Sequence, residues 1–266
     1  MGNNVLKTGY RRLDDKEYGG IKRGELTMLY SRHGMGKSAF LSNVFLNMVS
    51  QIPQMKCMFF VFEEPEKYAY EKMVCIKSGV PYWKYFNGEY FSEKEKRKIK
   101  QTEDWLGEKI HVKTSTSRII DKAHSLAELL IFVAEAKASY GLDAVFIDNL
   151  YYLKDFANEE INHVVYNLKE LAVRLDIAVL ATACLMSKKM DFPPTRRIKN
   201  KFILRTADKV IILNRSEELA TDLHIIKNYT GDYGIVSLRF DSETMRFYDP
   251  QFDNLEEPPY DESEEM

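Results

Sequence analysis

One eight-residue segment constrains the fold of this chain more than any other feature. It consists of Ser31, Arg32, His33, Gly34, Met35, Gly36, Lys37 and Ser38. The apolar run before it, residues 26–30, predicts a buried strand, and residues 39–49 predict a helix. A strand, a glycine-rich turn and a helix that opens on Lys-Ser are together typical of a phosphate-binding loop. Ser31 stands where glycine is usual, and we treat it as a variant because its side chain is small.

The chemistry of such a loop follows from its backbone. The N–H groups of the turn and of the helix N-terminus point at one spot and attract an anion. Gly34 and Gly36 let the backbone curl around phosphates without a Cβ in the way. Lys37 is predicted to reach the β- and γ-phosphates of a nucleotide, and Ser38 to bind Mg²⁺ through its hydroxyl. All eight residues are therefore candidates for nucleotide binding, and Lys37 is also a catalytic candidate.

Strands and helices alternate along most of the chain. Apolar runs predict strands at residues 57–62, 144–148, 178–182 and 209–213, with a short one at 111–112. Helical spacing and two capping boxes predict helices at residues 66–78, from 92 to about 106, from 125 to about 140, and 161–175. Residues 223–227, 235–240 and 245–248 predict antiparallel strands. The pattern predicts an α/β fold with a mainly parallel central sheet flanked by helices and closed by antiparallel C-terminal strands.

The composition limits the class of protein. The chain has 266 residues, of which 45% are hydrophobic and 29% charged, as in ordinary soluble domains. No apolar run has the length of a membrane span, and the N-terminus lacks a signal-peptide pattern. Cys57, Cys75 and Cys184 have neither the spacing of a zinc site nor that of a disulfide framework. We therefore expect a cytoplasmic protein without a membrane partner.

The net charge of −2 conceals an uneven distribution. Residues 255–266 contain six acids and no base, so the rest of the chain carries +4. We expect one domain over residues 1–254 and a disordered acidic tail over residues 255–266. A mildly basic body is compatible with a nucleic-acid partner but does not establish one.

Acidic residues follow two of the predicted strands. Ligands of parallel sheets bind at the carboxyl ends of the strands. Asp148 is placed there to hold Mg²⁺ together with Ser38, although a strand-end turn residue would give the same pattern. Glu63 is placed to orient or deprotonate the water that attacks the γ-phosphate. Glu64 competes for that role, and both acids also suit a helix start, where the dipole favours them.

A basic segment follows the strand at residues 178–182. Its cations are Lys188, Lys189, Arg196, Arg197, Lys199 and Lys201, and Asp191 is its only acid. Pro193 and Pro194 predict that the segment is a loop. Mobile basic loops bind the backbone of single-stranded nucleic acid by charge, without reading its sequence. A solvated surface loop remains the alternative.

Together these residues resemble the RecA-like ATPase domain of DnaB-type replicative helicases, from about residue 8 to residue 260. The likeness begins at Thr8-Gly9-Tyr10, includes the phosphate loop, and ends at Arg246-Phe247-Tyr248-Asp249 and the acidic tail. The resemblance implies a RecA-like P-loop NTPase fold with ATP and Mg²⁺ as cofactors. It favours Glu63 as the catalytic carboxylate and Asp148 as the metal-binding aspartate. It also implies single-stranded DNA as a partner and self-association into a ring or filament.

The sequence departs from the family pattern at several positions. The family's γ-phosphate-sensing glutamine corresponds to Cys184, a poor hydrogen-bonding substitute. The family's Lys-Gln-Arg, which enters the neighbouring subunit's nucleotide site, corresponds to Lys227-Asn228-Tyr229. Lys227 therefore stays a catalytic candidate, whereas the arginine finger is replaced by tyrosine. Ile198-Lys199-Asn200-Lys201 stands in place of the DNA-loop motif, and we expect no counterpart of the family's N-terminal helical domain.

The sequence favours an ATP-hydrolysing protein of the replicative helicase superfamily that associates with single-stranded DNA. The altered finger and sensor positions motivate an alternative, an ATP-binding regulator or loader with weak or no hydrolysis. Such a protein would associate with a helicase or another replication protein. A small-molecule kinase is a third possibility, but no acceptor pocket or lid arginine can be identified for it.

Overall fold

The structure is a computed structural model that describes most of the chain. The described residues are 5–15, 19–87, 91–110, 118–120, 125–153, 161–185, 198, 200–216 and 220–252. The predicted acidic tail and most of the predicted basic segment lie outside these ranges, as does the short strand predicted at residues 111–112. Within them, no helix has both the length and the apolar character needed to span a bilayer.

Strands and helices alternate through the first two thirds of the described chain. The strands are β1 (Val5–Leu6), β2 (Ile21–Lys22), β3 (Leu26–Ser31), β4 (Cys57–Val61), β5 (Arg118–Ile120), β6 (Ala144–Asp148), β7 (Ala178–Cys184), β8 (Lys209–Arg215), β9 (Ala220–Asn228), β10 (Gly234–Asp241) and β11 (Arg246–Tyr248). The helices are α1 (Arg11–Asp14), α2 (Lys37–Gln51), α3 (Glu66–Ser78), α4 (Tyr82–Asn87), α5 (Glu93–Ile110), α6 (Leu126–Tyr140), α7 (Ile161–Leu175) and α8 (Lys201–Thr206). A short 3-10 helix spans Leu150–Tyr152.

One large sheet organises these elements. Its nine strands lie in the order β11-β10-β9-β8-β3-β7-β6-β4-β5. Neighbouring strands from β8 to β5 are parallel, and β8, β9, β10 and β11 pair antiparallel. The predicted α/β architecture with antiparallel C-terminal strands is therefore confirmed.

Both faces of the sheet are covered, because its strands are apolar on both sides. Along β3, Leu29 packs into the core beneath α2, α3 and α5, whereas Met28 and Tyr30 pack into the core beneath α6, α7 and α8. On the first face, Phe45 of α2 lies edge-on to Phe59 and Phe146 of neighbouring strands, with ring centroids 5.4 Å apart in each pair. This two-sided burial fixes the positions at which the parallel strands end.

The two predicted capping boxes are present. At the start of α5, the Ser92 hydroxyl accepts from the Glu95 backbone N–H at 3.2 Å, and the Glu95 carboxylate accepts from the Ser92 N–H at 2.8 Å. Ser125 and Glu128 make the same reciprocal pair at the start of α6. Each pair satisfies two backbone groups that a helix end otherwise leaves open.

Two small features of the fold were not predicted. The segment before the phosphate loop carries a separate two-stranded sheet of β1 and β2, and β5 adds a parallel edge strand beside β4. These strands have two or three residues each. Such lengths are too short for a hydrophobic period to be recognised, so only tertiary pairing defines them.

Lys209, the first residue of β8, is a buried cation that makes stability depend on pH. Its side chain is 1% exposed, lies against a small apolar cavity, and donates from its ammonium to the Gly20 carbonyl. Burial lowers the pKa of Lys209 to about 8 from an ordinary value of 10.5. The unfolded chain therefore binds this proton more tightly, and stability rises as the pH goes from about 8 towards 10.5.

We expect Lys209→Met to remove this pH dependence. Between pH 7 and pH 10, the free energy of unfolding of the wild type should rise by about 2–3 kcal/mol relative to that of the variant. Urea unfolding of both proteins at several pH values measures the difference. Parallel pH profiles for the two proteins would contradict the assignment.

Candidate functional site

The carboxyl ends of the parallel strands bring functional side chains to one edge of the sheet. The phosphate loop follows β3, Arg215 ends β8 on one side of it, and Cys184 ends β7 on the other. Beyond β7, Asp148 ends β6, and Glu63 comes two residues after the end of β4. The strand order therefore arranges these residues in a row across the edge, as ligand sites of parallel sheets require.

The phosphate loop has the backbone that its glycines predict. Gly34 and Gly36 have φ angles of 75° and 95°, in the left-handed region that favours glycine. A Cβ on Gly36 would also lie 3.2 Å from the Phe247 ring, so this position tolerates a side chain poorly. Gly36 caps α2, whose first residues are Lys37 and Ser38. The first backbone N–H groups of this long helix therefore point to the loop, which favours an anion there.

Asp148 is buried beside the start of α2. Its side chain is 4% exposed and accepts a hydrogen bond from the Thr182 hydroxyl at 2.6 Å and another from Ser38. Burial raises the pKa of Asp148, and the Glu63 carboxylate raises it further, while the hydrogen bonds and the Lys37 ammonium act in the opposite direction. A bound cation would relieve this unfavourable burial of charge. The Ser38 hydroxyl and the Asp148 carboxylate are hard oxygen donors in contact, which fits Mg²⁺.

The structure separates the two competing glutamates. Both line the same cleft. The Glu64 carboxylate is paired with the Lys72 ammonium on α3. Glu63 is exposed and accepts a long hydrogen bond, 3.4 Å, from the Tyr152 hydroxyl. Of the two glutamates, Glu63 is therefore the one whose described partner is a neutral hydroxyl and not a cation, which suits a general base.

A single open cleft joins these groups. It encloses about 1000 Å³, including the solvent at its mouth, which is ample for a nucleotide. Of the predicted site residues, it is lined by His33, Gly34, Gly36, Lys37, Ser38, Glu63 and Asp148. The other predicted loop residues support the loop: Ser31 is buried and donates its hydroxyl to the Arg32 carbonyl, and Met35 packs against the core.

Arg215 is a cleft residue that the sequence reasoning missed. Its guanidinium donates to the Gly34 carbonyl at 2.6 Å and lies 4.5 Å above the centroid of the Phe240 ring. It therefore braces the phosphate loop from the side opposite Cys184. A charged residue closing an apolar strand next to the loop-bearing strand was the available signal, but only the strand order shows that β8 is that neighbour.

We expect Arg215→Ala to weaken nucleotide binding by about five- to tenfold, because the loop loses one hydrogen bond that fixes its turn. Titration with a fluorescent adenine nucleotide in the presence of magnesium measures this change. Arg239→Ala, at an exposed position of β10 outside the cleft, is the matched control and should leave the affinity unchanged. Equal affinities for all three proteins would contradict the bracing role.

Cys184 contacts the phosphate loop rather than solvent. Its side chain is 4% exposed, and its Sγ lies 3.8 Å from Nδ1 of the His33 ring. The buried amide of Asn149 donates to the same sulfur at 3.4 Å. The strand end predicted to carry a sensor thus reaches the loop through an imidazole.

Lys227 and Tyr229 lie at the opposite edge of the sheet. In the antiparallel pair of β8 and β9, Lys227 is opposite Val210, at the amino end of β8, so about 20 Å of strand separates it from the cleft. Its ammonium donates to the carbonyls of Arg205 and Ala207, and burial lowers its pKa. Tyr229 is 80% exposed. The structure therefore does not bring Lys227 to the nucleotide cleft of its own chain.

The predicted basic segment is described in part only. Lys201 is the exposed first residue of α8. The other five cations, Lys188, Lys189, Arg196, Arg197 and Lys199, lie outside the described residues. They remain predictions from the sequence.

Comparison with known proteins identifies the family. The family model described as "DnaB-like helicase C terminal domain" matches residues 5–249. The chain belongs to this family. The resemblance noted from the motifs is thereby confirmed, and the fold is the RecA-like fold of DnaB-family ATPase domains.

Several DnaB-like relatives match over nearly the whole chain. A "Probable plasmid replicative DNA helicase" of Chlamydia psittaci is 28% identical over 91% of the chain, and "Replicative DNA helicase DnaB" of Mycoplasma genitalium is 24% identical over 94%. The chain spans only 55% and 58% of the lengths of these two proteins.

Two solved structures show the same fold. One is an isolated ATPase domain, which aligns with a TM-score of 0.80 and 23% identity over 94% of this chain and 93% of its own. The other, described as "The Structure Of A DnaB-Like Replicative Helicase And Its Interactions With Primase", also has a TM-score of 0.80 and 23% identity. It covers 93% of this chain and 64% of its own. The sheet that positions the cleft is therefore one that these solved proteins share.

Proposed function

We propose that this DnaB-like domain binds ATP with Mg²⁺, hydrolyses it, and uses the energy while associated with single-stranded DNA. The observation that carries the proposal is the convergence of Lys37, Ser38, Asp148 and Glu63 on one cleft beside a glycine-rich loop. These are the parts that phosphoryl transfer from a nucleotide requires: an anion cradle, a metal-binding pair and a carboxylate base.

Each part of the cleft has a role in this mechanism. The backbone N–H groups of the phosphate loop and the Lys37 ammonium bind the β- and γ-phosphates. Ser38 and Asp148 would hold Mg²⁺, which when bound offsets negative charge on the phosphates. Glu63 accepts a proton from the attacking water, and the long hydrogen bond from Tyr152 orients its carboxylate.

The partners follow from charge and from the relatives. We propose that the basic segment, with Lys201 as its described member, faces the DNA backbone. We further propose that copies of the chain join in a ring or filament, or that the chain joins a helicase or another replication protein. Two named relatives are replicative helicases, which supports a motor over a regulator. Lys227 and Tyr229 would then act on a neighbour's cleft.

Steady-state ATP hydrolysis, with and without single-stranded DNA, tests the proposal. We expect magnesium-dependent turnover that DNA stimulates at least severalfold, and a particle mass in ATP and Mg²⁺ above that of one chain. Stable ATP binding with negligible turnover in both conditions would contradict the motor and favour the regulator. Failure to bind adenine nucleotide at all would contradict both.

A further inference from the structure

We propose that His33 is the residue by which this chain distinguishes ATP from ADP, and that Cys184 is the positioning residue that orients its ring. In this arrangement the His33 imidazole donates a hydrogen bond to the terminal phosphate of ATP. The inference rests on the proposed nucleotide site and names a specificity residue within it.

The first support is the position of His33 across the edge of the sheet. The phosphate loop has Arg215 of β8 on one side and Cys184 of β7 on the other, and β6 with Asp148 comes next. His33 leans to the Cys184 side. The carboxylates that mark the metal end of the cleft, Asp148 and Glu63, lie on that same side. The terminal phosphate of a bound nucleotide must face these carboxylates, so His33 stands at the end that ATP has and ADP lacks.

The second support is the hydrogen bonding of the ring. Sγ of Cys184 lies 3.8 Å from Nδ1 of His33 and accepts from the Asn149 amide at 3.4 Å. Since the sulfur already receives a hydrogen bond, its own S–H is available to Nδ1. A neutral imidazole that accepts at Nδ1 carries its proton at Nε2. The cysteine thereby selects the tautomer that presents an N–H donor.

The third support is the contrast in exposure between the two side chains. Cys184 is 4% exposed, whereas His33 is exposed and lines the cleft. A buried thiol that donates to an imidazole cannot also read a phosphate. The imidazole can do so directly, and the amide of Asn149, directly after Asp148, holds the thiol from behind. A change at the nucleotide therefore reaches the end of β7 through one ring.

The test compares equilibrium dissociation constants for ATP and ADP in the presence of magnesium. All proteins carry Glu63→Gln so that ATP is not consumed during the titration. His33→Ala should weaken ATP binding by roughly tenfold or more, the effect of losing a hydrogen bond to a charged group, and change ADP binding less than twofold. His33→Gln keeps an N–H donor on a side chain of similar reach and should restore most of the ATP preference.

The role of Cys184 is tested in the same titrations. Cys184→Ala should reduce the ATP preference severalfold, whereas Cys184→Ser, which keeps a donor, should retain it. Cys75→Ala is the matched control, because it removes a buried thiol from α3, away from the cleft. It should leave the preference unchanged.

Each outcome decides the proposal. If His33→Ala weakens ATP and ADP binding equally, or weakens neither, His33 does not read the terminal phosphate and the inference is wrong. If His33→Gln behaves like His33→Ala, a donor is not what matters, and the inference is again wrong. If the parent protein binds neither nucleotide, the proposed function itself fails, which is a separate result.

Discussion

Lys37→Ala is expected to abolish nucleotide binding at working concentrations and to lower ATP turnover by about a hundredfold or more. The Lys37 side chain is 6% exposed at the start of α2 and lies close enough to Asp148 to favour its charged form. Without the ammonium, the phosphates lose a charge-assisted contact, and Asp148 becomes a less favourable metal ligand. Titration with fluorescent ATP and a phosphate-release assay measure the two effects.

Lys72→Ala is the matched control for the loss of a cleft lysine. Lys72 lines the same cleft but is paired with Glu64 on the far side from the phosphate loop. Its removal should change nucleotide affinity much less than Lys37→Ala does. An unchanged affinity in Lys37→Ala would show that the loop does not bind phosphate, and the proposed function would have to be abandoned.

Glu63→Gln is expected to lower ATP hydrolysis by about 10²–10⁴-fold while leaving ATP affinity nearly unchanged. Glutamine keeps the shape of the side chain and can still accept from the Tyr152 hydroxyl, but it cannot take a proton from water. The effect should therefore appear in kcat rather than in KM. Phosphate release at saturating ATP, together with equilibrium binding, separates the two quantities.

Glu64→Gln is the control that the chain itself supplies. It is the next residue and lines the same cleft, but its carboxylate is engaged by Lys72. We expect it to retain most of the turnover. The reverse result, with Glu64→Gln inactive and Glu63→Gln active, would exchange the roles of the two glutamates.

The parallel core could be predicted because its strands are apolar on both faces. Residues 26–31 and 144–148 are buried throughout, so their apolar runs are visible without any knowledge of neighbours. The capping boxes at Ser92 and Ser125 were visible for a different reason: both partners lie within four residues of each other.

Contacts between distant parts of the chain could not be predicted. His33 and Cys184 are 151 positions apart, and Arg215 and Gly34 are 181 apart. Their proximity depends on β7 and β8 flanking β3, an order that no local pattern encodes. The choice between Glu63 and Glu64 likewise needed the position of Lys72 on α3. The sequence located the nucleotide site, whereas the groups that tune it depend on tertiary structure.

The turn between β9 and β10 lies at the edge of the sheet opposite the cleft, and this placement determines how completed sites can be counted. A contact between the turn of one copy and the cleft of another joins two different surfaces, so it has a direction. An open row of copies then always leaves one cleft unserved at its end, whereas a closed cycle leaves none. The number of clefts filled in trans would therefore equal the number of chains in a cycle and fall one short of it in a row.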